Sequence, residues 1–262
     1  MAEYKKLKYY FDKELAELLA VRIKDQFKKF NDKDFIESIS DTVEDLELKA
    51  RVEVITDCLQ KFLPDNFEKA LSILLKILGP ENKKETGMFI EGYWLMPIAF
   101  FVEKYGIDYF QASIKAIYEI TKRHTGEFAV RPFLEKYPEK MLEIMKKWSI
   151  DENVHVRRLA SEGIRPRLPW ARKLELTEKQ PQLVLPVLEN LKEDRSKFVQ
   201  KSVANCLNDI LKDNYDIAMS VLENWSKSTD KNTHWIIKHA LRNEIKKNNP
   251  DALRLLQKIV SS

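Results

Sequence analysis

The sequence predicts an all-α protein in which helical pairs stack on one another. Leucine, lysine, glutamate and isoleucine dominate the chain of 262 residues, which holds only 6 glycines and little alternation of β-branched residues. Apolar residues also recur at spacings of three and four between short polar breaks, as they do along one face of a helix. Both observations favour helix from one end of the chain to the other.

The first half of the chain contains five amphipathic runs. They cover residues 11–30, 46–62, 67–78, 94–105 and 109–122. The breaks after the second, third, fourth and fifth runs fall at Pro64, Gly79, Gly106 and Gly126. Because these connections are short, we expect sequential helices to be antiparallel neighbours.

From residue 137 the chain repeats a unit of two helices. The units start at polar or proline-containing positions 137, 180, 214 and 249. Their second helices superpose at Val156, Val199 and Ile237, which are 43 and 38 residues apart, a period typical of HEAT-type repeats. Since one pair cannot cover its own apolar face, we expect a curved solenoid whose second helices line a concave groove. We expect one domain over residues 1–262, with the first 136 residues forming less regular pairs and a cap.

Several function classes are disfavoured by composition. The glycines cannot assemble a phosphate-binding loop, so no nucleotide cofactor is expected. The four histidines form no metal-binding pattern, and the two cysteines lie far apart within helical patterns, so neither a metal site nor a disulfide is predicted. The N-terminus has no export signal and the longest apolar run is interrupted by Pro97. We therefore expect a cytoplasmic, monomeric protein that does not cross a membrane.

Positive charge is concentrated in residues 157–173, the cationic segment. This segment nets +5, whereas the whole chain nets only +4, so the remainder is close to neutral. A dense guanidinium surface suits the closely spaced phosphates of duplex DNA. The cations that we expect to contact DNA, on this segment and on the following second helices, are Arg157, Arg158, Arg165, Arg167, Lys201, Lys238 and Arg242.

Two carboxylates are expected on adjacent second helices. Superposition of the units places Asn205 at the position of Glu162, with Asp209 one turn further along. The pair can put negative charge beside a ligand in the groove. The ordinary alternative for Glu162 is an exposed ion pair with Arg158, worth about 0.3–0.5 kcal/mol, and for Asp209 a polar residue near a helix end. Spacing alone favours the ordinary alternative.

Trp170 and Glu127 each have two interpretations. Pro166 and Pro169 stiffen the chain before Trp170, which then either plugs the core or offers its ring face to a base. The arginines around it favour the second interpretation. Glu127 follows the break at Gly126, where the dipole of a helix N-terminus would favour an acid. Helix capping is its ordinary interpretation, and a part in the chemistry of the groove is the alternative.

At these positions the chain resembles a known family. The segment from His155 to Trp170 is long and specific, and residues 126–133, 202–209 and 235–242 support it. Together they resemble the AlkC family of bacterial HEAT-like-repeat DNA alkylation repair glycosylases, which are relatives of the AlkD family, over about residues 85–260. Some AlkC members carry an additional C-terminal immunoglobulin-like domain. We expect none here, because the last predicted helix ends near Val260.

The resemblance implies hydrolysis of the N-glycosidic bond of alkylated bases, chiefly 3-methyladenine, in duplex DNA to leave an abasic site. It implies that Arg158 and Arg165 hold the DNA backbone at the lesion. Its implied catalytic acids and lesion-facing aromatic residue are Glu162, Asp209, Glu127 and Trp170.

The rival hypothesis is a non-catalytic helical-repeat scaffold. Such a scaffold would use the same basic groove to bind nucleic acid or an acidic protein segment. It has no need of Glu162, because an acid in an anion-binding groove repels the ligand.

Overall fold

The computed structural model describes residues 5–86 and 88–260, and the regular secondary structure of these residues is helical, with no β-strand among them. No helix in the described ranges is both long and apolar enough to cross a membrane. The chain forms two compact units, unit 1 from Met1 to Val130 and unit 2 from Arg131 to Ser262. The expectation of one domain stays a prediction.

The described part of unit 1 contains six α-helices. They are α1 (Lys13–Gln26), α2 (Asp32–Val43), α3 (Leu48–Phe62), α4 (Phe67–Lys76), α5 (Met96–Tyr105) and α6 (Phe110–Thr121). Helix α1 packs against α2, and α3 packs against α5. Five of the helices fall on the predicted apolar runs. The pattern missed α2, which Asn31 caps through its side chain and which buries Phe35, Ile39 and Val43 at every fourth position.

The described part of unit 2 contains ten α-helices. They are α7 (Arg131–Lys136), α8 (Pro138–Trp148), α9 (Val154–Glu162), α10 (Glu175–Lys179), α11 (Leu185–Leu191), α12 (Lys197–Asp213), α13 (Tyr215–Trp225), α14 (Lys231–Ala240), α15 (Arg242–Lys246) and α16 (Pro250–Val260). Helices α8 and α9, α11 and α12, and α13 and α14 form successive pairs. The second helices stack as predicted, because α9 packs on α12 and α12 packs on α14.

The second helices begin in the same way. The side chains of Asn153, Ser196 and Asp230 accept hydrogen bonds from backbone N–H groups in the first turns of α9, α12 and α14. These caps are 43 and 34 residues apart, so the predicted spacing of 38 was wrong by one helical turn. Counted from its cap, α14 carries Thr233 where α12 carries Val199. Thr233 is as buried as Val199 but is polar, so the apolar pattern alone did not mark it and did not fix the register of α14.

Candidate catalytic centre and nucleic-acid interface

A buried arginine holds the non-helical part of the cationic segment in place. The guanidinium of Arg131 donates from Nη1 to the carbonyls of Gly163 (3.2 Å) and Arg165 (2.9 Å), and from Nη2 to that of Arg172 (2.6 Å). These bonds satisfy carbonyl groups of a stretch that has no helical partners of its own. Arg131 was not among the predicted site residues, although it lies in the supporting motif 126–133. Its burial could not be inferred from the sequence.

Glu162, the last residue of α9, lies inside unit 2. Its Oε1 accepts a hydrogen bond from Arg165 Nη1 (2.6 Å) and lies 3.4 Å from Arg158 Nη2. Its Oε2 accepts a hydrogen bond from Ser202 of α12 (2.7 Å). The side chain of Glu162 is only 6% exposed, so the interpretation as an exposed ion pair was wrong. The pair with Arg158 exists, but it is part of a buried network.

Asp209, on α12, meets the same guanidinium. Its Oδ2 accepts from Arg165 Nε (2.9 Å) and lies 2.9 Å from Nη2, and its Oδ1 lies 3.0 Å from Lys212 Nζ. The Asp209 side chain is buried as deeply as that of Glu162. The structure thus brings the two predicted acids together through Arg165, which bridges them.

The charges of this network are mutually stabilising. Burial opposes ionisation of Glu162, but the nearby Arg158 and Arg165 cations and the bond from Ser202 outweigh it, so the pKa of Glu162 lies below its usual value. Burial also opposes the charge of Arg165, but Glu162 and Asp209 outweigh it and raise the pKa of its guanidinium. The result is an anion that stays charged at neutral pH inside a cationic segment.

Arg165 is therefore placed differently from the prediction. We expected it to hold the DNA backbone, but its guanidinium is buried and donates to Glu162 and Asp209. Arg157 also has a structural contact, because its Nε donates to Asp194 (2.6 Å) and its Nη1 to the carbonyl of Asp151 (2.9 Å). Both side chains serve the packing of unit 2. Their contact with DNA stays a prediction.

The remaining predicted cations differ in accessibility. Lys201 on α12 and Lys238 on α14 are exposed. Arg167 is partly exposed and forms two hydrogen bonds with Asp213 at the end of α12. Arg242 is partly buried and donates from Nη2 to Asn205 Oδ1 (3.0 Å).

Arg158 lies at the edge of the buried network. Its guanidinium carbon is 5.1 Å from the centre of the Phe198 ring, which suits a cation–π contact. Its side chain is 12% exposed, so it reaches the surface only in part.

Trp170 is an exposed side chain. It is 58% exposed, which rules out the alternative that it plugs the core. Its backbone has φ of 66°, in the left-handed region that a bulky residue rarely adopts. A strained backbone that presents an aromatic ring outward is typical of a functional position.

Glu127 belongs to unit 1 and is buried there. It lies in the turn before α7, four residues ahead of that helix. Thr125 Oγ1 donates to Glu127 Oε2 (2.9 Å) and accepts from the backbone N–H of Glu127 (3.2 Å). Its role as a catalytic acid stays a prediction.

Comparison with known proteins gives a consistent result. Residues 124–243 match the family described as DNA alkylation repair enzyme. The uncharacterized protein YhaZ of Bacillus subtilis (strain 168) is 40% identical over 250 residues, which cover 95% of this chain and 67% of YhaZ.

A solved structure matches the fold. It is Pseudomonas fluorescens alkylpurine DNA glycosylase AlkC bound to DNA containing an abasic site analog, which is 34% identical with a TM-score of 0.87. The match covers 97% of this chain and 69% of that one. It confirms the predicted all-α helical-repeat fold. The chain belongs to the AlkC family of DNA alkylation repair enzymes.

Proposed function

We propose that this protein is a monofunctional DNA glycosylase that hydrolyses the N-glycosidic bond of alkylated bases, chiefly 3-methyladenine, in duplex DNA. The products are the free base and an abasic site. In this proposal the protein acts on duplex DNA as a monomer in the cytoplasm, and it uses no nucleotide cofactor.

The observation that carries this proposal is the buried carboxylate of Glu162, which pairs with Arg165 and Arg158 within the cationic segment. An acid in an anion-binding surface weakens the attraction for phosphate, so it needs a reason to be there. The sugar cation that forms only while the N-glycosidic bond breaks supplies that reason, because a nearby carboxylate stabilises it. The pKa of Glu162, held low by the adjacent arginines against the effect of burial, keeps the carboxylate charged for this task.

Hydrolysis of this N-glycosidic bond needs a carboxylate near the sugar but no strong general acid to protonate the base. An N3-alkylated adenine is already positively charged, so it can leave with the electron pair of the bond between C1′ and N9. The barrier then lies in the oxocarbenium-like sugar. A carboxylate beside C1′ stabilises that charge and accepts a hydrogen bond from the water that adds to C1′, and the released proton passes to solvent.

The other predicted residues fit binding roles. The exposed ring of Trp170 offers an electron-rich face to the cationic base. The accessible side chains of Lys201, Lys238 and Arg167 are suited to phosphate contacts. A similar protein, AlkC of Pseudomonas fluorescens, has been solved with DNA that contains an abasic site analog, which supports DNA as the partner.

The test is incubation of the protein with a duplex treated with a methylating agent. We expect free 3-methyladenine in the supernatant, measured by mass spectrometry, and strand breaks only after mild alkali. Unmodified duplex and the Glu162→Gln variant are the controls. Strand breaks before alkali contradict monofunctional action, and methylated DNA that stays intact after alkali supports the rival scaffold instead.

A further inference from the structure

Ser202 is the partner of Glu162 that the reaction chemistry does not explain. It lies on α12, 40 residues from Glu162, and its side chain is buried. Its Oγ lies 2.7 Å from Glu162 Oε2 and 2.7 Å from Ser161 Oγ. Neither serine was predicted as a site residue, although both lie in the segments that carry the family resemblance.

The direction of these hydrogen bonds follows from the proton count. An ionised carboxylate only accepts, so Ser202 donates its one proton to Glu162. Ser202 therefore accepts from Ser161, whose own proton is directed at Ser202 and not at the carbonyl of Arg158, 3.0 Å away. The two hydrogen bonds therefore run in one direction, from Ser161 to Ser202 and from Ser202 to Glu162.

The carboxylate is consequently held from two sides. A carboxylate has about four lone-pair positions, two on each oxygen. Arg165 and Arg158 lie against Oε1, and Ser202 takes one position of Oε2. The second position of Oε2 is left for water or for the sugar.

We propose that Ser202 is a positioning residue for the proposed glycosylase reaction: it fixes the rotation of the Glu162 carboxylate so that Oε2 presents this position to the reacting sugar. The inference rests on the proposed function. Ser202 touches neither DNA nor water in this scheme and acts through Glu162.

The groups that face Glu162 come from three parts of unit 2. Arg158 lies on the same helix, Arg165 on the following loop, and Ser202 on α12, while Asp209 is reached through Arg165. Loss of Ser202 leaves both arginines in place. The carboxylate should therefore stay buried and paired, but it should rotate more freely and lose one group that favours its charge.

The test compares Ser202→Ala with wild type in single-turnover excision from a 3-methyladenine duplex across a pH series. We expect the maximal rate to fall about tenfold, as for loss of a hydrogen bond to a charged group. We also expect the acidic limb of the pH profile to move to higher pH, because the removed bond lowers the pKa of Glu162. The apparent affinity for DNA should not change. Ser202→Thr, which keeps the hydroxyl, should recover the wild-type profile.

The matched control is Ser226→Ala, which removes a buried hydroxyl that donates to the carbonyl of Glu223 elsewhere in unit 2. Circular dichroism establishes that each variant is folded at each pH. An unshifted profile for Ser202→Ala, or equal loss of rate in Ser202→Ala and Ser226→Ala, overturns the inference. Absence of excision by wild type overturns the proposed function itself, which is a separate result.

Discussion

Arg165 and Asp209, 44 residues apart in sequence, are joined inside unit 2 by a hydrogen bond of 2.9 Å from Nε to Oδ2. The same guanidinium donates to Glu162 from Nη1. One arginine thus pairs with two buried acids, and Arg158 and Lys212 supply the further positive charge beside them. These pairings offset part of the cost of placing both acids away from water. Arg165 also fixes the distance of each acid from the other, so the network behaves as one unit.

Replacement of Glu162 by glutamine should remove catalysis and leave binding intact. Glutamine keeps the shape but loses the negative charge that stabilises the sugar cation. We expect the excision rate to fall at least about 100-fold, the usual loss for one group that stabilises the transition state. Fluorescence anisotropy should give a DNA affinity within about twofold of wild type. The exposed Glu139→Gln variant is the control, and a comparable loss of rate in both would contradict the assignment.

Replacement of Asp209 by asparagine should also lower the excision rate, by about tenfold or more. Both carboxylate oxygens of Asp209 lie against cations, Oδ2 against Arg165 and Oδ1 against Lys212. Its effect should therefore pass in part through Arg165 and the position of Glu162. The measurement is single-turnover excision by Asp209→Asn and by the double variant with Glu162→Gln. If the two effects multiply fully, the acids act independently and the shared network is refuted.

Arg165 and Arg167 should differ in what they contribute. Arg165→Ala leaves two buried acids without their shared partner and should lower the free energy of unfolding by about 3–5 kcal/mol. Arg167→Ala breaks a partly exposed pair with Asp213 and should cost at most about 1 kcal/mol. It should instead weaken DNA binding and reduce the salt slope by about 0.9. Urea unfolding and salt-dependent anisotropy distinguish the two, and the reverse pattern would refute the assignment.

The side chain of Trp170 should be needed for excision of the alkylated base and not for the stability of the fold. Since its side chain is largely exposed, Trp170→Ala should reduce excision about tenfold or more with little change in stability. Trp170→Gly should lose activity equally but be more stable than Trp170→Ala by up to about 1 kcal/mol, because only glycine accepts the positive φ without strain. Thermal unfolding of the two variants gives the comparison. Wild-type excision of 3-methyladenine by either variant would remove Trp170 from the site.

A fall in pH should lower the free energy of unfolding of the wild-type protein more than that of the Glu162→Gln variant. The folded-state pKa of Glu162 lies below its unfolded value, so its contribution to stability is present above the unfolded pKa and is lost as pH falls through the folded one. The loss should begin at about pH 5 and continue downward. Urea unfolding of both proteins at a series of pH values gives the two slopes. Parallel slopes would show that Glu162 is not stabilised as an anion in the folded protein.

Sequence by itself determined the helical class and the paired organisation of unit 2, and it singled out the acids and cations that are proposed for the site. These follow from local periodicity, from polar and proline-containing breaks and from a segment whose composition is unlike the rest of the chain. The first half was also predicted in outline, but the helix over residues 32–43 was missed. Its apolar stripe holds one residue in four, too sparse to stand out by periodicity.

Tertiary structure decided which of those side chains are buried and with which partners. Spacing alone left Arg165 as one cation among several and favoured an exposed ion pair for Glu162. The fold places both in one network with Asp209 and Ser202. The contacts of Arg165 with Asp209 and of Ser202 with Glu162 join residues 44 and 40 positions apart. They depend on how α9 and its exit pack on α12, which local helical periodicity does not specify. Burial strengthens the attraction within each charge pair, because water no longer screens it, and it raises the cost of removing one partner.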